Sequence, residues 1–90
     1  LLRADAHDRD QVRQFLDDAA GCFPEGDARL FGPLPAIMER VGGRTRMYLV
    51  LQSPARSGLH AQLDAWLPAV RALRTARRVR WSIDVDPQEL

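Results

Sequence analysis

The sequence has no lysine and one cysteine, Cys22. A single cysteine excludes an internal disulfide and cannot build a zinc site alone. Cys22 stands at the end of an apolar helical stripe, so it reads as a buried thiol rather than a reactive one. That fits an intracellular, cytoplasmic protein. His7 and His60 are the only histidines and lie far apart. Ser53, Ser57 and Ser82 form no nucleophile elbow, and Gly42-Gly43 lacks the ending and the following helix of a phosphate loop. No apolar run approaches the roughly 18 residues that a membrane span needs. There is neither an initiator Met nor a charged-then-apolar leader, so the expectation is a soluble domain cut from a longer protein. No enzyme activity and no cofactor are expected of this chain.

What is present is a small globular domain with a divided charge. Ninety residues allow one domain, residues 1–90, and one small core. An apolar content of 46% sets the chain apart from disordered sequences. The net charge of +1 conceals a separation. Residues 1–27 carry seven acids against three arginines, whereas residues 28–83 carry ten arginines against Glu39 and Asp64. A middle this basic suits nucleic acid or an acidic peptide. The arginine fork matches carboxylate and phosphate geometry.

Periodicity supplies the elements. Leu1 to Ala6 is a possible strand on thin grounds, because Ala and Asp are poor strand formers. Val12, Phe15, Leu16, Ala19 and Phe23 make the apolar stripe of a helix, with Asp8 or Asp10 at its start. Residues 28–41 are extended, but Pro33-Leu34-Pro35 forbids a regular central strand. Gly42-Gly43 predicts a hairpin into the strand Arg44 to Gln52, with Thr45, Met47, Leu49 and Leu51 on one face. Ser53-Pro54 opens a second helix, Ser as cap and Pro in the first position. Its stripe is Leu59, Leu63, Trp66, Leu67, Val70 and Leu73, and Pro68 is expected to kink or split it. Arg71, Arg74, Arg77 and Arg78 follow, where cations complement a helix dipole. The strand Val79 to Pro87 closes the chain, with Val79, Trp81, Ile83 and Val85 on its apolar side, inserted into the sheet. The order predicts an α+β fold: a single four-stranded antiparallel sheet with two helices on one face, in the βαββαβ ferredoxin-like order.

Two surfaces are candidates for binding. On the outer sheet face stand Arg44, Arg46 and Tyr48 of one strand and Arg80 and Ser82 of another. Basic groups around an aromatic on an open sheet hold phosphates and bases in several single-strand binders. Packing on a neighbouring domain is the plain alternative. The second surface is the start of the second helix, where free N–H groups meet Arg56, with His60 four residues on. Such a cluster suits a carboxylate or phosphate, although a surface ion pair explains Arg56 as simply. Asp84 and Asp86 share a strand face, and turn chemistry or an arginine partner accounts for them better than a metal or acid–base pair.

The stretch LFGPLPAIMERVGGRTRMYLVLQSPAR, followed by RRVRWSIDVDP, resembles the C-terminal domain of primosomal protein N′, the PriA replication-restart helicase family. The matching pieces are Gly32-Pro33 with Pro35-Ala36, Gly43-Arg44, Pro54-Ala55-Arg56, and Trp81 to Pro87. They cover residues 28–90, and element order covers the rest. The resemblance implies the C-terminal domain of a longer helicase that recognises stalled forks and reloads the replicative helicase. It implies DNA, single-stranded DNA-binding protein, and primosome and helicase-loading proteins as partners. It places Arg56 against the terminal carboxylate of the binding protein's acidic tail, assisted by His60 where well-known members have Gln. The parent family is an ATP-dependent 3′→5′ DNA helicase. Its ATP and zinc sites belong to other domains, and some members have degenerate motor motifs. Two other readings stay open: a free-standing RNA-binding or ribosomal-protein-like domain, and a structural cap on the helicase lobes.

Overall fold

Leu2, Ala4 and Ala6 alternate with Arg3 and Asp5, and this short segment is the strand β1 (Leu2–Ala6). The computed structural model describes residues 1–54 and 56–84, with the backbone alone for residues 36–41 and 56–58. After β1 come α1 (Arg9–Gly21), β2 (Arg29–Val41), β3 (Arg44–Gln52), α2 (Arg56–Arg71), a 3-10 helix (Arg74–Arg78) and β4 (Arg80–Ile83). The strands form one sheet in the order β2-β3-β1-β4, and every neighbouring pair is antiparallel. This is the α+β, ferredoxin-like arrangement that the sequence predicts.

β1 is a central strand despite its poor propensity. It pairs with β3 on one side and β4 on the other, and Leu2, Ala4 and Ala6 are all buried. Burial overrides propensity here, because strand scales mostly measure packing. α1 starts as expected: the Asp8 carboxylate caps it by accepting from the Asp10 N–H at 2.9 Å. Val12, Phe15, Leu16 and Ala19 point into the core. They meet Met47 and Leu49 of β3 and Leu63, Trp66 and Val70 of α2 in one apolar cluster. Burying each large side chain contributes about 1.5–3 kcal/mol. Trp66 anchors the cluster. Its Nε1–H donates to the Ala19 carbonyl at 2.8 Å, and Phe23 meets its ring edge-on at 5.0 Å between centroids. The Cys22 thiol is half-buried and donates to the same carbonyl.

The prolines of β2 are tolerated because β2 is an edge strand that pairs with β3 alone. Its register shifts between Phe31 and Leu34 and again between Pro35 and Arg40. The hairpin turns on Gly42 and Gly43, with φ of 60° and 79°. Both values lie in the left-handed region that this tight turn requires.

Three expectations change. α2 begins at Arg56, so Pro54 precedes the helix instead of occupying its first position. Pro68 does not split α2, which runs unbroken to Arg71. Asp64, whose carbonyl loses its partner, and Pro68 are both exposed, so water can serve that carbonyl. β4 joins the sheet beside β1 as expected, but it begins at Arg80 instead of Val79 and forms an edge. Trp81 and Ile83 face the core but are only half-buried. Val85, Asp86 and Pro87 lie outside the described residues. No helix among the described residues is long and apolar enough to cross a membrane.

Candidate nucleic-acid interface

The sheet has one face against the helices and one open face, and side-chain alternation decides what the open face carries. On β1 it presents Arg3 and Asp5, because Leu2, Ala4 and Ala6 are buried. On β3 it presents Arg44, Arg46, Tyr48 and Val50, because Thr45, Met47 and Leu49 are buried. On β4 it presents Arg80 and Ser82. The register then sets neighbours. Asp5 stands between Arg46 of β3 and Arg80 of β4, and Arg3 stands between Tyr48 and Ser82.

The result is a groove of about 440 Å³, walled by Arg3, Arg44, Arg46 and Arg80 around Asp5, with Trp81 and Ser82 beside them. Asp5 ties its walls together. Its Oδ1 accepts from Arg44 Nε at 2.6 Å and lies 3.3 Å from Arg80 Nε. Arg44 also donates to the Asp5 backbone carbonyl at 3.2 Å. A fourth wall, Arg3, pairs outward with Asp84, which resolves the role of that acid as an arginine partner at the strand exit. Among the described residues Arg46 makes no ion pair, so its guanidinium is available to a ligand. Four arginines against the carboxylates of Asp5 and Asp84 leave an excess of positive charge, with Arg46 the wall that no carboxylate engages among the described residues.

Next to the groove the face turns apolar. Phe31 and Leu34 are exposed at 46% and 40%, the two large hydrophobic residues that most face solvent among those described. Phe31 lies across from Val50 and Leu34 across from Tyr48. In a regular strand residues three apart point to opposite faces. The register shift at Gly32-Pro33 turns both outward, so Phe31, Leu34, Tyr48 and Val50 form one strip beside the arginines.

The structure thus brings Arg44, Arg46, Tyr48 and Arg80 together on one face. Arg3 and Asp5 were missing from the sequence reading because the strand signal of β1 was weak. Phe31 and Leu34 were missing because their facing depends on a bulge. Alternation around Asp5 is the signal that finds the first two once β1 is accepted. His60 is exposed on α2, in the helix layer on the other side of the sheet, and does not approach the groove. The side chain of Arg56, like Asp86, lies outside the described residues.

The family described as primosomal protein N C-terminal domain matches residues 1–88. The match covers the sheet, both helices and the whole arginine face. The chain belongs to the primosomal protein N C-terminal domain family, and is a domain of a replication-restart protein.

Proposed function

We propose that this domain is a non-catalytic DNA-binding module of its parent helicase, and that the open sheet face is where forked or single-stranded DNA lies. The observation that carries this is the juxtaposition of a four-arginine groove with an aromatic and apolar strip on one face. Arg44 and Arg80 are oriented by Asp5, and Arg46 stands across from Asp5 in the register. Their forks suit phosphate oxygens. Tyr48 and Phe31 offer ring faces to bases, at about 1–3 kcal/mol per stacked base. Membership of a replication-restart family favours DNA over the ribosomal alternative.

The test is the double variant Arg46→Ala/Tyr48→Ala, titrated against a fork over a salt series. The expected result is weaker binding and a log–log salt slope shallower by about one. An unchanged slope assigns this face to packing on a neighbouring domain, which would cover Phe31 and Leu34.

A second site is proposed on the helix layer, where Arg56 and the exposed His60 would receive the acidic tail of single-stranded DNA-binding protein. It rests on the helix N-terminus at Arg56, since the dipole and first-turn N–H groups of a helix favour a carboxylate. Lying across the sheet from the groove, it leaves DNA and tail free to bind together. Arg56→Ala in the full-length protein should weaken binding of an acidic tail peptide, and unchanged affinity removes the assignment. Primosome and helicase-loading proteins, ATP and zinc fall to the parent's other surfaces and domains in this reading.

A further inference from the structure

Between the end of α2 and the start of β4 the chain has a period of three. Leu73, Ala76 and Val79 pack against the core. Arg71, Arg74, Arg77 and Arg78 are exposed on the outside. The 3-10 helix explains the pattern, since it has three residues per turn and stacks residues i and i+3 on one face. Arg74 and Arg77 therefore stand one above the other, about 6 Å apart along the axis. Beyond the extended Val79 the chain enters β4 at Arg80, a wall of the groove. The 3-10 helix is fixed to α1 by Thr75, whose hydroxyl donates to Asp18 at 3.0 Å.

Arg71 closes α2, and Arg77 and Arg78 lie in the last turn of the 3-10 helix, where a dipole favours cations. The dipole of a five-residue helix is small and does not serve Arg74, so the clustering of all four needs a further explanation. Among the described residues none of the four has an ion-pair partner. Like charges this close repel one another unless an anion covers them. The ridge also differs in kind from the sheet face. It holds no aromatic residue on which a base could stack, so only charge and hydrogen bonds to a phosphate backbone are available to a ligand.

We infer that the ridge of Arg71, Arg74 and Arg77, with the exposed Arg78 beside it, is a second DNA contact, made to the phosphate backbone of a duplex arm, while the sheet groove holds the unpaired strand. The inference rests on the DNA-binding reading above and adds to it a division of labour. Arg80 follows the ridge in the chain, so one domain would contact both duplex and single strand at a junction.

The experiment uses the triple variant Arg74→Gln/Arg77→Gln/Arg78→Gln of the whole chain, with folding confirmed by circular dichroism. The probes are a blunt duplex and an oligothymidylate, each titrated over a salt series. For the duplex the slope should become shallower by about two to three, since each phosphate contact contributes about 0.9. Oligothymidylate affinity should stay within about twofold, because counterion release there comes from the groove. An unchanged duplex slope overturns the ridge, as do equal losses on both probes, which would mark a general charge effect. The groove variant Arg46→Ala/Tyr48→Ala separates the two ideas. If it is silent on oligothymidylate while the ridge variant moves the duplex slope, the groove reading fails and the ridge stands. If neither DNA binds the unaltered chain, both fail.

Discussion

Asp5 and Arg44 form the tie across the open face: Oδ1 of one accepts from Nε of the other at 2.6 Å, joining β1 to β3. Their side chains are 18% and 27% exposed, whereas Arg80, at 3.3 Å on the other side, is 72% exposed. Screening by water should make these two pairs unequal. A double-mutant cycle on Asp5→Ala and Arg44→Ala, read by urea unfolding, should give a coupling near 1 kcal/mol. The corresponding cycle with Arg80→Ala should give less than about 0.5 kcal/mol. Equal couplings would mean that exposure does not govern the network.

The same acid has an opposite effect on an anionic ligand. Asp5 places a negative charge amid the arginines that the DNA reading assigns to phosphates. Asp5→Asn keeps the shape and removes the charge. Affinity for oligothymidylate should rise several-fold at low salt, with a steeper salt slope. A fall in affinity would show that the orienting role of Asp5 outweighs its charge.

Gln62 governs the connection between α1 and β2. It is 6% exposed, accepts from the Ala28 N–H at 2.9 Å and donates to the Pro24 carbonyl at 3.0 Å. A Cβ on Gly26 would sit 2.4–2.7 Å from its amide. The amide can move away only by giving up both bonds, so Gly26→Ala should destabilise the domain by about 1–3 kcal/mol. In a Gln62→Ala background the obstacle is gone, and the same substitution should cost less than about 0.5 kcal/mol. Additive effects in thermal or urea melts would refute the clamp.

How far the sequence foretold this depends on what each residue's position needed. The stripes of α1 and α2, the glycine turn and the faces of β3 follow from local periodicity, and they suffice for element order and fold. β1 could not be secured locally, since two alanines and two acidic or basic residues make a strand only when neighbours bury one side. Arg3 and Asp5 were lost with it, and they form the floor and one wall of the groove. Phe31 and Leu34 required knowledge of a register shift, which periodicity averages away. The 3-10 helix was hidden because its period of three was read as the tail of a helical stripe ending at Leu73. Arg44, Arg46, Tyr48 and Arg80 were legible because simple alternation on β3 and β4 places them.

Trp66 offers the sharpest check on the core. It is fully buried, and it is held by a hydrogen bond to the Ala19 carbonyl and by the edge-on Phe23 ring. Trp66→Phe keeps an aromatic ring but leaves a void and releases the bond. The Cys22 backbone N–H and thiol also address the Ala19 carbonyl, so the acceptor is not orphaned. The loss should therefore be set mainly by the void and stay near 2–3 kcal/mol, below the 3–5 kcal/mol typical of deleting the whole side chain. Against the roughly 5–14 kcal/mol available to a domain of this size, Trp66→Phe should fold and melt earlier, and Trp66→Ala should melt earlier still. Trp81, half-buried at the edge and 5.9 Å from Phe15 between ring centroids, provides the contrast. Trp81→Phe should cost less than half as much in the same urea titration, because an edge site already shared with water leaves a smaller void. Equal costs at the two sites would contradict a core centred on α2.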